Sequence, residues 1–354
     1  MSSLLRQPKS VLVTGGCGFI GSAFVRWLLS EAGNSCHVVN LDVLTYAANP
    51  DNVAAVASSD RYAFVQADIA DAATVARVCR EHAVDTIVHF AAESHVDRSI
   101  VGPGAFVQAN IVGTYQLLQV VRELPQIHFH HVSTDEVYGS LGPTGLFTES
   151  TPYDPSSPYS ASKAASDHLV RAYARTYGLS TTVSNCSNNY GPYQFPEKLL
   201  PLMILNLVEG KPLPVYGTGA NVRDWLYVDD HVEAIWAIVQ RGRRGETYNV
   251  GGEAEWQNLA LLHQLIDVVA STAGLNAEAL RKQITFVADR PGHDARYAID
   301  CSKLKSELGW SQRHDIESGL ASTVRWYLSN PDWVARVKSG AYREWLDKNY
   351  ASRA

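Results

Sequence analysis

The sequence predicts an α/β fold, a doubly wound parallel sheet with a smaller α/β domain interleaved toward the C-terminus. Three observations carry this prediction. Short apolar runs of strand length alternate with helix-spaced segments through the first half of the chain. A glycine-rich turn follows the first of those runs. From Asn188 onward the texture shifts to aromatics, prolines and glycines around isolated helical stretches. Strands that alternate with helices favour a parallel sheet covered on both faces.

Taken in order, Val11-Leu12-Val13 reads as the first strand, Thr14 to Gly21 as a turn, and Ala23 to Leu29 as a helix. His37 to Leu41 is a second strand ending at Asp42, and Tyr62 to Val65 a third ending near Asp68. Thr86 to Phe90 runs into Ala91-Ala92, and Ile127 to Val132 runs into Ser133-Thr134. Ala72 to Glu81, Ala105 to Arg122 and Ser157 to Tyr177 have helical spacing. Beyond these, the pattern predicts helices over Lys198–Glu209, Asp230–Val239 and Leu259–Ala273, and strands at Thr247–Val250 and Ile284–Val287. Two further helical stretches, rich in Trp and Tyr, follow Asp300. The expected division is a nucleotide-binding domain of residues 1–187 plus about 229–252, and a ligand domain of 188–228 plus about 253–354.

A chain of 354 residues can bury a sizeable core without disulfide staples. Its 46% hydrophobic and 19% charged residues are ordinary globular usage. A net charge of -6 argues against a nucleic-acid partner held by a basic surface. The five cysteines are scattered with no C-x-x-C pair, which favours reduced thiols and a cytoplasmic location. The first ten residues are too polar for a signal peptide, and no apolar run approaches the ~20 residues of a membrane span.

Gly15-x-x-Gly18-x-x-Gly21 lies between a strand and a helix, and Gly16-x-Gly18-x-x-Gly21 overlaps it. One glycine permits the tight turn, another lets a pyrophosphate approach the backbone, and a third lets helix pack on strand. Free N–H groups at the helix start then bind the anion. Asp42 ends the second strand about 20 residues beyond the last glycine, where a carboxylate accepts from ribose hydroxyls and repels a 2′-phosphate. The sheet is thus expected to be Rossmann-type and the cofactor to be NAD rather than NADP.

Tyr159 and Lys163 are i and i+4 on one helix face. A phenol with its ordinary pKa near ~10 is a poor base at neutral pH. A nearby ammonium together with a cationic nicotinamide is expected to lower it. Ser133-Thr134-Asp135-Glu136 follows the fifth strand, at the sheet end where ligands bind. Ser133 and Glu136 also fit a helix capping box, so position alone leaves two readings open. Asp135 and Glu136 can share a site only if the chain has left the strand. Facing one substrate, one carboxyl can hold a proton as general acid while its neighbour acts as base.

The glycine turn and the Tyr-x-x-x-Lys pair resemble the extended, sugar-nucleotide branch of the short-chain dehydrogenase/reductase superfamily. Longer stretches resemble the dTDP-glucose 4,6-dehydratase family across nearly the whole chain. They are Thr14–Ser22, Ala91–Ile100, Ser133–Gly139, Tyr159–Lys163, Asn185–Lys198, Arg223–His231 and Asp289–Asp300. The resemblance implies C4 oxidation, elimination of water across C5 and C6, and hydride return to C6. Tyr159 and Lys163 would take the 4-hydroxyl proton, Thr134 would hydrogen-bond near that hydroxyl, Glu136 would remove the C5 proton and Asp135 would protonate the departing C6 hydroxyl. It also implies tightly bound NAD, regenerated each turn and lined by Gly15, Gly18, Phe19, Ile20, Gly21, Asp42, Val43, Leu44, Thr45, Asp68, Ile69, Phe90, Ala91, Ala92, Ser133, Tyr159, Lys163 and Asn189. Ala109 departs from the family, which usually carries a threonine or similar residue there.

For the nucleotide sugar the resemblance implies Ser94, Asn188, Lys198, Leu199, Arg223, Asn258, Asp289, Arg290, His293 and Tyr350, with Pro214-Val215-Tyr216 beside the base. Lys198 and Arg223 suit a diphosphate, the guanidinium as a fork, although Arg223-Asp224 also reads as a local ion pair. The family implies a homodimer, for which Ala105–Arg122 and Tyr159–Tyr177 are the candidate helices. Rival readings are a sugar-nucleotide 4-epimerase or decarboxylase, which need no acid pair, a UDP-sugar dehydratase, and a non-catalytic NAD sensor. His128-Phe129-His130-His131 suggests a metal cluster, but strand alternation divides these rings between faces, so no metal is expected. The C-terminal Trp and Tyr residues are read as domain packing rather than a stacking platform for nucleic acid.

Overall fold

The structure is a computed structural model and describes residues 5–30 and 35–338. Its first half winds β1 (Ser10–Thr14), α1 (Phe19–Ser30), β2 (His37–Asp42), β3 (Tyr62–Gln66), α2 (Ala72–Glu81) and β4 (Thr86–His89). Next come α3 (Val96–Val101), α4 (Pro103–Phe106), α5 (Thr114–Glu123), β5 (His128–Thr134), α6 (Pro158–Tyr177), β6 (Thr181–Cys186) and β7 (Asn188–Tyr190). The second half holds α7 (Leu199–Glu209), β8 (Leu213–Tyr216), β9 (Val222–Tyr227), α8 (Val228–Arg241), β10 (Thr247–Val250) and β11 (Glu255–Gln257). It ends with α9 (Asn258–Ala273), α10 (Ala277–Arg281), β12 (Ile284–Val287), α11 (Ser302–Leu308), α12 (Ile316–Ser329) and α13 (Pro331–Val337).

Among the described residues, seven strands form one sheet in the order β10-β6-β5-β4-β1-β2-β3, and every neighbouring pair is parallel. The order reverses between β1 and β4, which opens a crevice at the carboxyl ends of the strands. Alternation along the strands divides the core in two. Leu12, Val39, Leu41, Ile87 and Phe129 pack with residues of α2, α5 and α6 on one face. Val11, Val13, Val38, Val88 and Val132 pack with α1 and α8 on the other. Burial on both faces is why these strands read as unbroken apolar runs.

Two small sheets, β11-β9-β7 and β12-β8, stand beside the main one. They share an apolar cluster with α7, α9 and α12, built from residues such as Ile204, Leu213, Leu265 and Leu320. Trp326 and Trp333 pack edge-on against each other and belong to that cluster's surroundings, and Trp333 Nε1 donates to Asn52 Oδ1 at 2.8 Å. Trp326 and Trp333 therefore serve packing, as expected, and the aromatics beyond residue 338 lie outside the described residues.

Three sequence expectations change. The helix expected over 105–122 is α4, a π-helical turn at Val107–Gly113, and then α5. The wider turn aims Asn110 inward, where it bonds the Glu93 backbone and the Ser162 hydroxyl. The fifth strand continues through Thr134 instead of ending at Val132. Thr181–Cys186, unpredicted as a strand, lies between β5 and β10.

Candidate active site

The glycine turn is shaped by close backbone approach. Gly15 has φ +73°, and a Cβ there would lie 2.7 Å from the Ala91 backbone. A Cβ on Gly16 would meet Asn40 Oδ1 at 2.2 Å. Gly15 and Gly16 are thus both sterically required, and the two overlapping spacings describe one turn. Asp42, buried at the end of β2, accepts from the N–H groups of Cys17 (2.9 Å) and Leu44 (2.8 Å). Burial pushes its carboxyl up, and those two donors act against the shift.

Helix α6 carries the tyrosine and lysine, and its start is strongly encoded. Ser157 is the N-cap and accepts from Ser160 N–H, Ser160 completes the capping box, and Pro158 fills the first helical position. Gly178, at φ +68°, ends the helix. Tyr159 thus falls in the first turn and Lys163 one turn on. Lys163 Nζ is buried and donates to Val132 O at 2.9 Å.

At the end of β5 the chain leaves the strand as required. Asp135–Tyr138 forms a 3-10 turn, so both acids reach the crevice. The alternative capping box is not formed, because Thr134 caps the turn by accepting from Glu136 N–H at 3.3 Å. Asp135 is 1% exposed. Its carboxyl is held well above the usual range by burial, then by Glu136 and Asp224. Glu136 is raised by burial too, but Arg290, Arg223 and Lys198 pull it back. The neighbours therefore differ in their hold on a proton.

The Tyr159 phenol is expected to be lowered by Lys163 together with a bound nicotinamide. In the protein alone its phenol is pushed up, by burial first and by Glu136 second, with the facing Thr134 hydroxyl acting the other way. Burial also lowers the Lys163 ammonium, and Asp167 opposes that shift.

A cavity of about 500 Å³ runs along the strand ends. It is lined by Gly15, Gly18, Phe19, Ile20, Gly21, Asp42, Val43, Thr45, Asp68, Ile69, Phe90, Ala91, Ala92, Ser133, Tyr159, Lys163 and Asn189, together with Ser94, Thr134, Asp135 and Ala109. Leu44 is not part of its wall; at φ +60° it supplies the N–H that holds Asp42. A second cavity of about 190 Å³ is lined by Leu199, Pro214, Val215, Tyr216, Arg223, Asn258, Arg290 and His293. Glu136, Asn188 and Lys198 belong to both walls, so the two spaces adjoin at the acids. Asp289 lines neither cavity but holds His293 Nδ1 at 2.6 Å. Tyr350 lies outside the described residues.

The Arg223-Asp224 ion-pair reading does not hold, because neighbouring strand residues point to opposite faces. Asp224 accepts from the backbone of Gly252 and Ala254. Arg223 donates to the carbonyls of Val222 and Asp294 and lies 4.1 Å from the Tyr297 ring centre.

Sequence reasoning missed several lining residues. Glu197 lies on both walls, 3.1 Å from Arg98 Nε, and accepts from Tyr46 at 2.9 Å. Glu93, Asp97 and Tyr297 also line these spaces. Glu197 sits beside Lys198 inside the stretch Asn185–Lys198, and that adjacency was the available signal.

The arrangement fits a dinucleotide. The turn at Gly15 and Gly21 is a cradle that a Cβ would fill, and Asp42 faces the same cavity with a carboxylate suited to ribose hydroxyls. The cavity's inner end joins Tyr159, Thr134, Asp135 and Glu136 around one space. These groups can take a proton from a hydroxyl, take one from carbon and return one to a leaving oxygen.

The family model described as GDP-mannose 4,6 dehydratase matches residues 12–323. The dTDP-glucose 4,6-dehydratase of Shigella flexneri is 54% identical, covering 97% of this chain and 99% of that protein. The enzyme of that name from Xanthomonas campestris is 55% identical over 94% of this chain and 97% of its own. Among solved structures, the Bacillus anthracis dTDP-glucose 4,6-dehydratase in complex with NAD superposes with a TM-score of 0.85. It is 45% identical and covers 93% of this chain and 100% of that one. A Thermus thermophilus UDP-glucose 4-epimerase complex with NAD superposes at 0.80 with 30% identity, covering 90% and 99%.

Proposed function

The chain belongs to the GDP-mannose 4,6 dehydratase family, and from that premise we propose that it is a dTDP-glucose 4,6-dehydratase, an NAD-dependent hydro-lyase. It converts dTDP-glucose to dTDP-4-keto-6-deoxyglucose and water. The observation that carries this reading is the acid pair, with Asp135 and Glu136 opening on the space that Tyr159 lines. Oxidation at C4 alone needs no such pair, whereas loss of water needs both an acid and a base.

When bound, NAD would supply the hydride acceptor for sugar C4 and the hydride donor for C6. Gly15, Gly18, Gly21 and Asp42 would hold it, with Phe90 to Ala92 and Ile69 along its wall. Tyr159 takes the 4-hydroxyl proton, with Thr134 as hydrogen-bond partner. Because burial and Glu136 raise this phenol, its deprotonation would need cationic charge nearby, from Lys163 and, when NAD is bound, the nicotinamide. The 4-keto group acidifies C5, and Glu136, beside Arg290, Arg223 and Lys198, is the carboxylate that removes that proton. Asp135, which holds its proton more firmly, gives it to the C6 oxygen as water departs. Lys198, Arg223, Arg290 and His293 suit the diphosphate end in the adjoining cavity.

The protein is read as a cytoplasmic homodimer. Ile100, Val101, Val107, Tyr115 and Tyr177 are exposed apolar side chains on α3 to α6 and the π turn, which supports pairing through these helices. Five unpaired, buried cysteines agree with a reducing compartment. No described helix is long and apolar enough to cross a membrane.

The test is incubation of the purified protein with dTDP-glucose deuterated at C4, with no cofactor added. The product should lose water and carry deuterium at C6. Unchanged mass with inversion at C4 would indicate an epimerase and overturn the reading.

A further inference from the structure

Behind the catalytic lysine lies a buried polar cluster with no contact to either cavity. Asp167 sits one helical turn beyond Lys163 on α6 and is fully buried. Its Oδ2 accepts from Tyr153 Oη at 2.8 Å and Asn185 Nδ2 at 3.1 Å. Its Oδ1 lies 3.2 Å from His131 Nε2, and that nitrogen is 3.5 Å from Lys163 Nζ. Asn185 Nδ2 also donates to Thr134 O at 3.1 Å, and Arg171 donates to Tyr153 Oη at 2.6 Å. One carboxylate thus joins the lysine, the strand that ends at Thr134 and the loop before α6.

We propose that Asp167 is the positioning residue that keeps Lys163 an ammonium, by placing a fixed negative charge one imidazole away. A buried ammonium with only a carbonyl for a partner would shed its proton. His131, pushed down to about 4 by burial and then by Lys163, is neutral and supplies no charge of its own. Asp167 itself lies below the usual carboxylate range: burial alone would raise it, and the hydrogen bond from the His131 ring together with the Lys163 ammonium opposes that. The other groups around the cluster are His89 from β4, Cys186 from β6, Tyr138 from the 3-10 turn and Arg171 behind Tyr153. His89 and Cys186 are held neutral by burial, and burial likewise keeps the Tyr138 phenol protonated. Asp135 and Glu136 face Tyr159. Asp167 is therefore the carboxylate that opposes loss of the Lys163 proton.

The inference rests on the reading of Tyr159 and Lys163 above. Its test is the pH profile of turnover for Asp167→Asn, with Tyr153→Phe as the control that disturbs packing but keeps the charge. The alkaline limb, where the ammonium is lost, should move down by about one unit or more in Asp167→Asn. It should stay in place in Tyr153→Phe, and the acid limb should stay in both. An unmoved alkaline limb in Asp167→Asn, or a fall in rate equal at every pH, overturns the proposal. If that variant does not fold, NMR titration of the Lys163 side chain in the wild-type protein decides. An ammonium at about pH 8 supports the proposal, and a free amine there sinks it. Tyr159→Phe separates the two layers: full activity in that variant would refute the site reading itself.

Discussion

A Cβ placed on Gly21 would lie 2.2 Å from the carbonyl oxygen of Gly15. No flexible atom can yield there, because the obstacle is backbone. The third glycine is thus a condition for α1 to start against β1, and α1 begins at Phe19 beside the nucleotide cavity. Gly21→Ala is expected to displace that first turn, cost about 1–3 kcal/mol of stability and release the cofactor. Absorbance of the purified variant, read for bound nucleotide, checks it. A variant that keeps a full complement of NAD would contradict the steric argument.

Asp135→Asn and Glu136→Gln should be separable. Both should lower product formation by about 100-fold or more. Only the glutamate variant should also lose exchange of the substrate C5 proton with deuterated solvent, because Glu136 is the proposed base. Mass spectrometry of recovered substrate gives the answer. Equal loss of exchange in both variants would mean the acids act as one unit.

Arg223→Met should weaken binding of nucleoside diphosphate by about 10- to 100-fold, as expected for loss of a charged hydrogen-bond partner. Arg223 is buried, faces the second cavity and is already oriented by the Val222 and Asp294 carbonyls. Calorimetric titration with dTDP measures the change. Affinity unchanged by the substitution would remove Arg223 from the diphosphate site.

Stability should fall on acidification below about pH 6.5. His128 and His130 are buried, bond the hydroxyls of Ser180, Thr182 and Ser184, and are held well below the usual histidine range by burial first. His231 is lowered to about 3 by burial. Unfolded rings take protons near pH ~6.5 while the folded ones do not, so the loss begins there and continues toward the folded values. Each such ring contributes roughly 1.4 kcal/mol per pH unit in that window. Thermal melts at several pH values should show a shallower slope for His130→Gln than for the wild type. An identical slope would assign the acid sensitivity elsewhere.

Much of this site was legible because its signals are local. A glycine turn between strand and helix, an acid at the end of β2 and a tyrosine one turn before a lysine each express backbone geometry within a few residues. Strand β6 was not legible. Thr182, Ser184 and Asn185 look like loop composition, and they are buried in the sheet because His128, His130 and Asp167 occupy their polar groups. Those partners lie at least 18 residues away along the chain.

By itself, then, the sequence determined the winding of the sheet, the place of the glycine turn and which side chains are proposed to carry protons. Only the tertiary structure decided how those side chains hold their protons. It seats Asp135 deep and leaves Glu136 among three cations, raises the Tyr159 phenol and sets Asp167 behind Lys163. Desolvation and field are sums over groups distant in the chain, and no local pattern contains those sums.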